Sequence, residues 1–154
     1  MKTFEPTLFD SNVLVYAHNQ DSPFHQECAS LIKSVENNKI KGVLAQQNLL
    51  EFYSIVTDNR RTTKPLPPQI AQEIVYEYLN SSFKIIVPTK ETFSITSDLN
   101  NKLKVINGKI FDIYLVATML SNSIRTIVTA NIKDFAIFPA LKVLGLDLKN
   151  ISAN

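Results

Sequence analysis

Cysteine, histidine, glycine and long apolar runs are scarce or missing from this chain, and each shortage excludes something. A single cysteine, Cys28, permits no internal disulfide and fits a reducing compartment. It reads as a small core residue inside a helix, with no nucleophile setting around it. Two histidines, His18 and His25, together with that one cysteine form no zinc-ligand pattern. Both read as surface helix histidines rather than general acids. With three glycines and no low-complexity tract, the chain shows no repeat at solenoid periods. No segment reaches the roughly 18 apolar residues that a membrane span requires. Glu5, Pro6 and Asp10 interrupt any signal-peptide core, so a cytoplasmic location is expected. Neither sign of charge dominates. Sixteen basic and 14 acidic residues give a net charge of +2, which neither demands nor excludes a nucleic-acid partner.

What remains is an ordinary globular composition, 45% apolar and 19% charged, in 154 residues. That length fits one domain, residues 1–154, able to bury roughly two-thirds of its unfolded surface. Thr7–Phe9 reads as a short buried strand, followed by a helix turn capped by Ser11 or Asn12. Ser22-Pro23 reads as a helix start, with helical spacing through Gln26–Val35 and a stop at Asn37-Asn38. A strand at Val43–Ala45 precedes a helix from Gln47 to about Thr57. The proline-rich, basic stretch Asp58–Pro68 is a loop. A helix from Pro68 to about Leu79 leads to a strand at Ile85–Val87. Thr89 is the expected cap of the next helix, which Asn107-Gly108 breaks, and Glu91 and Glu73 are expected in first turns. A strongly apolar helix over Ile110–Asn122 and strands at Thr126–Val128 and Lys142–Leu144 complete the order. Short apolar strands alternating with helices, without hairpin turns, indicate parallel pairing in an α/β sandwich.

Against this background the acids are oddly placed. Asp10 ends the run Thr7-Leu8-Phe9, Glu51 follows Leu49-Leu50, and Asp112 lies between Ile110-Phe111 and Ile113. Asn131 and Asp134 follow Ile127-Val128. Carboxylates beside core-forming residues are costly to desolvate unless the charge is compensated. Each has a plainer role open to it: Asp10 as a helix cap, Glu51 as a surface glutamate, Asp112 as a first-turn acid, Asn131 and Asp134 as turn caps. Taken together they point to a hard cation, Mg²⁺ or Mn²⁺, held by oxygen donors. Such a site suits phosphodiester hydrolysis, since the ion activates water and neutralises phosphate charge.

The segments LFDSNVLVYA, NLLEFYSIV, GKIFDIYLVATML and IVTANIKDF, in that order, resemble the four signatures of PIN-domain ribonucleases, and more narrowly VapC-type toxins of toxin–antitoxin pairs. The resemblance implies a three-layer sandwich around a short, mainly parallel sheet of four or five strands. It implies Asp10 and Asp112 as metal ligands, and Glu51 as the third acid, binding metal or positioning the nucleophile. Asn131 stands where many PIN domains carry a fourth aspartate; Asp134 is expected to compensate through a water. Asn12, Ser11 and Thr129 are expected to support the site by hydrogen bonding. The implied function is Mg-dependent cleavage of RNA, with a cognate antitoxin and a homodimer as partners. Arg60, Arg61 and Lys64 form the best local basic cluster for RNA phosphates. Ile70, Ile74, Tyr78 and Phe93 are open to partner contacts or to the core, and Phe52 and Tyr53 to base stacking or to the core.

Two other readings compete. FDSN after a strand is similar to the nucleophile motif of HAD-type phosphatases, but Asn12 stands where that family needs a second aspartate. A catalytically weak or inactive PIN-like module that binds RNA or protein is the alternative that the amide at Asn131 leaves open.

Overall fold

The computed structural model describes residues 5–149, in which short strands alternate with helices. In chain order these are β1 (Thr7–Phe9), α1 (Ser11–Ala17), α2 (His25–Glu36), β2 (Gly42–Ala45), α3 (Gln46–Val56) and α4 (Pro68–Leu79). Then follow β3 (Lys84–Ile86), α5 (Thr92–Leu103), α6 (Lys109–Ser121), β4 (Thr126–Val128), α7 (Ile132–Phe135) and β5 (Lys142–Leu144). The five strands form one parallel sheet in the order β3-β2-β1-β4-β5.

Successive strand side chains point to opposite faces, so each apolar run divides between two cores. Phe9, Leu44, Val128 and Leu144 join Leu14, Val35, Phe52 and Tyr78 of α1–α4 on one face. Leu8, Val43, Ala45, Ile127 and Val143 join Ile113, Val116, Met119 and Phe135 of α6 and α7 on the other. Leu99 and Leu103 of α5 pack against this second core. The result is a three-layer α/β sandwich. Helices cover both sheet faces, and β1, β2 and β4 are buried throughout, whereas β3 and β5 at the edges each begin with an exposed lysine.

Gly42 allows one close approach within this packing. A Cβ there would stand 2.6–2.7 Å from the Phe83 ring and the Val35 side chain. Only hydrogen fits between β2 and these two side chains.

Strand order fixes where a ligand can enter. From β1 the chain goes to β2 on one side, while β4 lies on the other. The order reverses between β1 and β4, and open α/β sheets bind ligands beyond the carboxyl ends of such strands.

Several elements differ from the sequence reading for local reasons. The cap of α1 is Asp10 itself, in extended backbone conformation, one residue before the expected Ser11 or Asn12. Helix α2 begins at His25, because Ser22–Phe24 form a turn closed by a bond from the His25 N–H to the Ser22 carbonyl. Strand β3 is shifted one residue toward the N-terminus, leaving Val87 outside it and exposed. Thr89 organises the turn before α5 instead of capping it, bonding the Glu91 N–H and the Glu91 carboxylate. Glu91 is therefore the cap residue, and Glu73 lies in the second turn of α4. Helix α5 ends at Leu103, before Asn107-Gly108, where Lys104 turns left-handed with φ 52°. The one-turn helix α7 was not expected.

Candidate active site

β1 delivers Asp10 to the sheet edge, and the Asp10 N–H still donates to the Val128 carbonyl of β4 at 3.1 Å. The carboxylate is buried, 6% exposed, and hydrogen bonds surround it. Oδ1 accepts from the Ser11 N–H at 2.8 Å. Oδ2 accepts from the Asn12 amide at 3.0 Å and from the Thr129 hydroxyl at 2.8 Å. Thr129 Oγ1 in turn accepts from Asn12 Nδ2 at 3.2 Å and from the Asn131 N–H at 2.9 Å. Asn12 Oδ1 accepts from the Ala130 N–H at 3.3 Å. The ends of β1 and β4 are thus joined through side chains as well as through the sheet.

Glu51 comes from the second turn of α3 and is held at both oxygens. Oε2 accepts from the Ser11 hydroxyl at 2.8 Å, and Oε1 from Gln47 Nε2 at 3.0 Å. Ser11 has one hydroxyl proton, so its 3.4 Å approach to Asp10 Oδ1 is the weaker contact. Gln47 Nε2 also donates to the Phe111 carbonyl in the first turn of α6 at 2.9 Å. That bond ties α3 to the helix carrying Asp112.

Asp10, Glu51, Asp112, Asn131 and Asp134 all line one cleft of about 680 Å³, together with Ser11, Asn12, Gln47 and Arg61. Asn131 is exposed at the start of α7 and makes no capping bond, while Asp134 is exposed in the helix's first turn. Thr129, fully buried, lies behind the cleft. Burial pushes the Asp10 pKa up to about 6. The bonds from Thr129 and Ser11 oppose this rise, and the charges of Glu51 and Asp112 add to it. Asp112 is also pushed up, by burial first and then by Asp134 and Glu51, against the pull of Lys109. The acids therefore repel one another across the cleft.

Among the described residues, no three His, Cys, Asp or Glu side chains converge closely enough to grip one ion. The donor set still fits a hard divalent cation. It consists of carboxylate and amide oxygens, with no imidazole or thiol in the cleft. Mg²⁺ is commonly held by one or two carboxylates and keeps several waters, so it needs no closed protein cage. Burial is the first cause of the raised pKa at both Asp10 and Asp112, with neighbouring acids adding to it, and such an ion would offset both the desolvated charge and the repulsion.

The remaining candidates fall elsewhere. Arg60 pairs with Asp58 at 3.0 Å, and Lys64 with Asp21 at 3.2 Å; neither lines the acidic cleft. Phe52 is fully buried, and Tyr53 is half-buried against the same core. Tyr78 is buried and Ile74 partly buried, whereas Ile70 and Phe93 are exposed. His18 is not a free surface histidine. Its ring packs on Phe52 and Tyr78, its Nε2 lies 2.8 Å from the Tyr78 hydroxyl, and burial lowers its pKa. Cys28 is fully buried, and its thiol pKa is raised to about 11, as an inert core residue requires. Gln47 is the contributor that the sequence reading missed. Its one signal is position, one helical turn before Glu51, where side chains meet.

The family profile described as PIN domain matches residues 7–139. This chain belongs to the PIN-domain family. Ribonuclease VapC24 of Mycobacterium tuberculosis is 22% identical over 129 residues, 84% of this chain and 88% of the relative. Ribonuclease VapC43 of the same species is 29% identical over 115 residues, 74% of this chain and 78% of the relative. A toxin–antitoxin complex from Klebsiella pneumoniae contains a chain of the same fold, with TM-score 0.59 and 17% identity over 94% of this chain and 99% of that one. As a PIN domain, the chain carries its acidic cleft at the sheet's switch point, between helices α1, α3, α6 and α7.

Proposed function

We propose that this PIN domain is a divalent-metal-dependent endoribonuclease, the toxin of a type II toxin–antitoxin pair acting in the cytoplasm. The observation that carries the reading is the gathering of Asp10, Glu51, Asp112 and Asp134 in one cleft, with Asp10 buried and held by Ser11, Asn12 and Thr129. Similarity to relatives named as ribonucleases supports RNA as the substrate.

Mg²⁺ or Mn²⁺ bound there would supply an acidified water and positive charge for the phosphate. Asp10 and Asp112 are its proposed ligands. Ser11 and Gln47 hold both Glu51 oxygens, so this carboxylate is placed to orient the attacking water and accept its proton. Thr129 and Asn12 fix the Asp10 carboxylate in one orientation. Asn131 offers a neutral amide oxygen where an acid would add charge, and Asp134 restores a negative charge close to Asp112.

Incubation of purified protein with RNA, with Mg²⁺ or Mn²⁺ and then with EDTA, tests the reading. Cleavage should require metal and disappear in Asp10→Asn and Asp112→Asn. RNA that is bound but stays intact with either metal would instead identify a non-cleaving binding module.

The antitoxin is supported by the toxin–antitoxin complex that shares this fold, and by an apolar groove between α3 and α4 lined by Leu49, Leu50, Tyr53, Tyr76 and Leu79. Leu50 and Tyr76 are 71% and 64% exposed there. The homodimer is proposed on the exposed Phe93 and Phe111 of α5 and α6. Light scattering of the protein alone, and co-purification with the product of the adjoining small reading frame, check the two partners.

A further inference from the structure

We propose that the Arg61 guanidinium is the phosphate-binding group of the acidic cleft, and that Arg60 and Lys64 beside it serve the loop instead of the RNA. The proposal rests on the RNA-cleaving reading above and narrows it to one side chain. The sequence presents the three cations as a cluster of equals, and the structure separates them by what each one touches.

The segment between α3 and α4 is built by its own bonds. The Asp58 carboxylate accepts from Arg60 Nε and Nη2, both at 3.0 Å, and from the Arg60 N–H at 2.9 Å. The Asp58 carbonyl accepts from the N–H groups of Arg61 at 3.1 Å and Thr62 at 3.0 Å. Thr62 Oγ1 reaches back to the Ile55 carbonyl at 2.8 Å, and Leu66 N–H to the Val56 carbonyl at 2.7 Å. Lys64 ties the loop to Asp21, in the turn before α2. Arg60 and Lys64 are thus turned to carboxylates outside the cleft.

Arg61 is different. Among the described residues it is exposed, forms no ion pair, and is the one basic side chain lining the cleft. It shares that cleft with Asp10, Glu51, Asp112 and Asp134, yet bridges to none of them. A polyanion entering beside these acids meets repulsion, and Lys109 next to Asp112 is the other cation acting on them. A guanidinium presents paired N–H donors in a plane that matches two phosphate oxygens, so it adds geometry as well as charge. Arg60, Lys64 and Asp21 are exposed in these pairs, where ion pairing contributes little. The loop is held mainly by its backbone bonds, so Arg60 and Lys64 can be removed while Arg61 stays in place.

Two measurements test this on the full chain: cleavage of a fluorescent single-stranded RNA with Mn²⁺ or Mg²⁺, and its salt-dependent binding in an Asp10→Asn background. Arg61→Ala should cut the cleavage rate about 10–100-fold, as expected for one charged hydrogen-bond contact. It should also make the log affinity against log salt slope shallower by about 0.7, the value of one single-strand phosphate contact. Arg61→Lys should restore the slope and only part of the rate. Arg60→Ala and Lys64→Ala should leave the rate within about twofold of the parent and the slope unchanged. An unchanged slope in Arg61→Ala, or equal losses in Arg60→Ala or Lys64→Ala, would overturn the assignment. A parent protein that binds RNA and never cuts it overturns the nuclease reading alone, and the salt slope then decides Arg61 by itself.

Discussion

The Thr129 hydroxyl donates to Asp10 Oδ2 at 2.8 Å, joining residues 119 positions apart at the carboxyl ends of two adjacent strands. This bond opposes the burial that raises the Asp10 pKa to about 6. Thr129→Val keeps the shape and removes the donor, leaving Asn12 as the remaining side-chain donor on that oxygen. A hydrogen bond to a charged group contributes about 1.5–3 kcal/mol, so a loss of that order in unfolding free energy is expected. The Asp10 pKa should rise further, and the acid limb of the pH–rate profile should move to higher pH. A limb that stays in place in Thr129→Val would show that Asp10 does not set it.

Asp10 also makes metal-free stability depend on pH in a direction opposite to that of a salt-bridged carboxylate. Its folded pKa of about 6 lies above the ordinary value of 3.8. Between these values the folded state keeps a proton that the unfolded chain has lost. The contribution is therefore fully present below about pH 4 and is lost as pH rises through about 6. A shift of this size is worth about 3 kcal/mol at most. Urea titrations in EDTA should show wild type losing stability over that window relative to Asp10→Asn. Parallel pH curves for the two proteins would refute the shift.

On the proposed reading, Gln47 is a positioning residue for Glu51. Its amide donates to Glu51 Oε1 and to the Phe111 carbonyl, so it couples α3 and α6 through one side chain. Gln47→Leu should lower kcat by about tenfold with KM nearly unchanged, since a misplaced carboxylate costs orientation and not binding. Steady-state kinetics and a thermal melt on the same preparation separate this from unfolding. A proportional rise in KM would assign Gln47 to substrate binding instead.

These three residues show what a single sequence exposes and what it hides. Strands β1 and β4 are legible because burial on both faces leaves short, largely apolar runs, and α4 because Pro68 opens it. Asp10, Glu51 and Asp112 are legible because each interrupts or ends an apolar run, and the desolvation cost is largest for buried Asp10, while Asp134 is exposed. Gln47 is not legible, since its meaning depends on α6 passing beside α3, which no local pattern encodes. The pairing of Lys64 with Asp21 is hidden for the same reason. Helix α7 is too short for a period to register. Asp10 caps α1 and faces the cleft with the same carboxylate, so the cap leaves the proposed ligand role open to it.

Gly42 should be intolerant of even a methyl group, for reasons remote from the cleft. The added Cβ would meet the Phe83 ring at 2.6 Å and Val35 at 2.7 Å, and both partners are buried, 5% and 1% exposed. Overpacking of this kind typically costs about 1–3 kcal/mol. Gly42→Ala should lower the melting temperature while leaving the specific activity of the folded fraction intact at low temperature. A second substitution, Val35→Ala, opens room and should recover part of the loss. An unchanged melt in Gly42→Ala would mean that β2 has freedom to move away from Phe83.

Metal removal separates a structural debt from a catalytic one. The four carboxylates of the cleft, opposed by Arg61 at its wall and by Lys109 beside Asp112, leave the folded state under repulsion that the proposed cation would relieve. An ion that binds only the folded state stabilises it by about 2.7 kcal/mol at a hundred times its dissociation constant. Raising Mg²⁺ or Mn²⁺ from an EDTA-treated baseline should therefore raise the melting temperature of wild type. The gain should shrink in Asp10→Asn or Asp112→Asn and nearly vanish when both are changed, even in the absence of RNA. Ca²⁺ prefers six to eight oxygen ligands at longer distances, so it should stabilise the protein without supporting cleavage at the same rate. If the melting temperature responded equally in wild type and the double variant, the ion would be binding elsewhere and the cleft would not be its site.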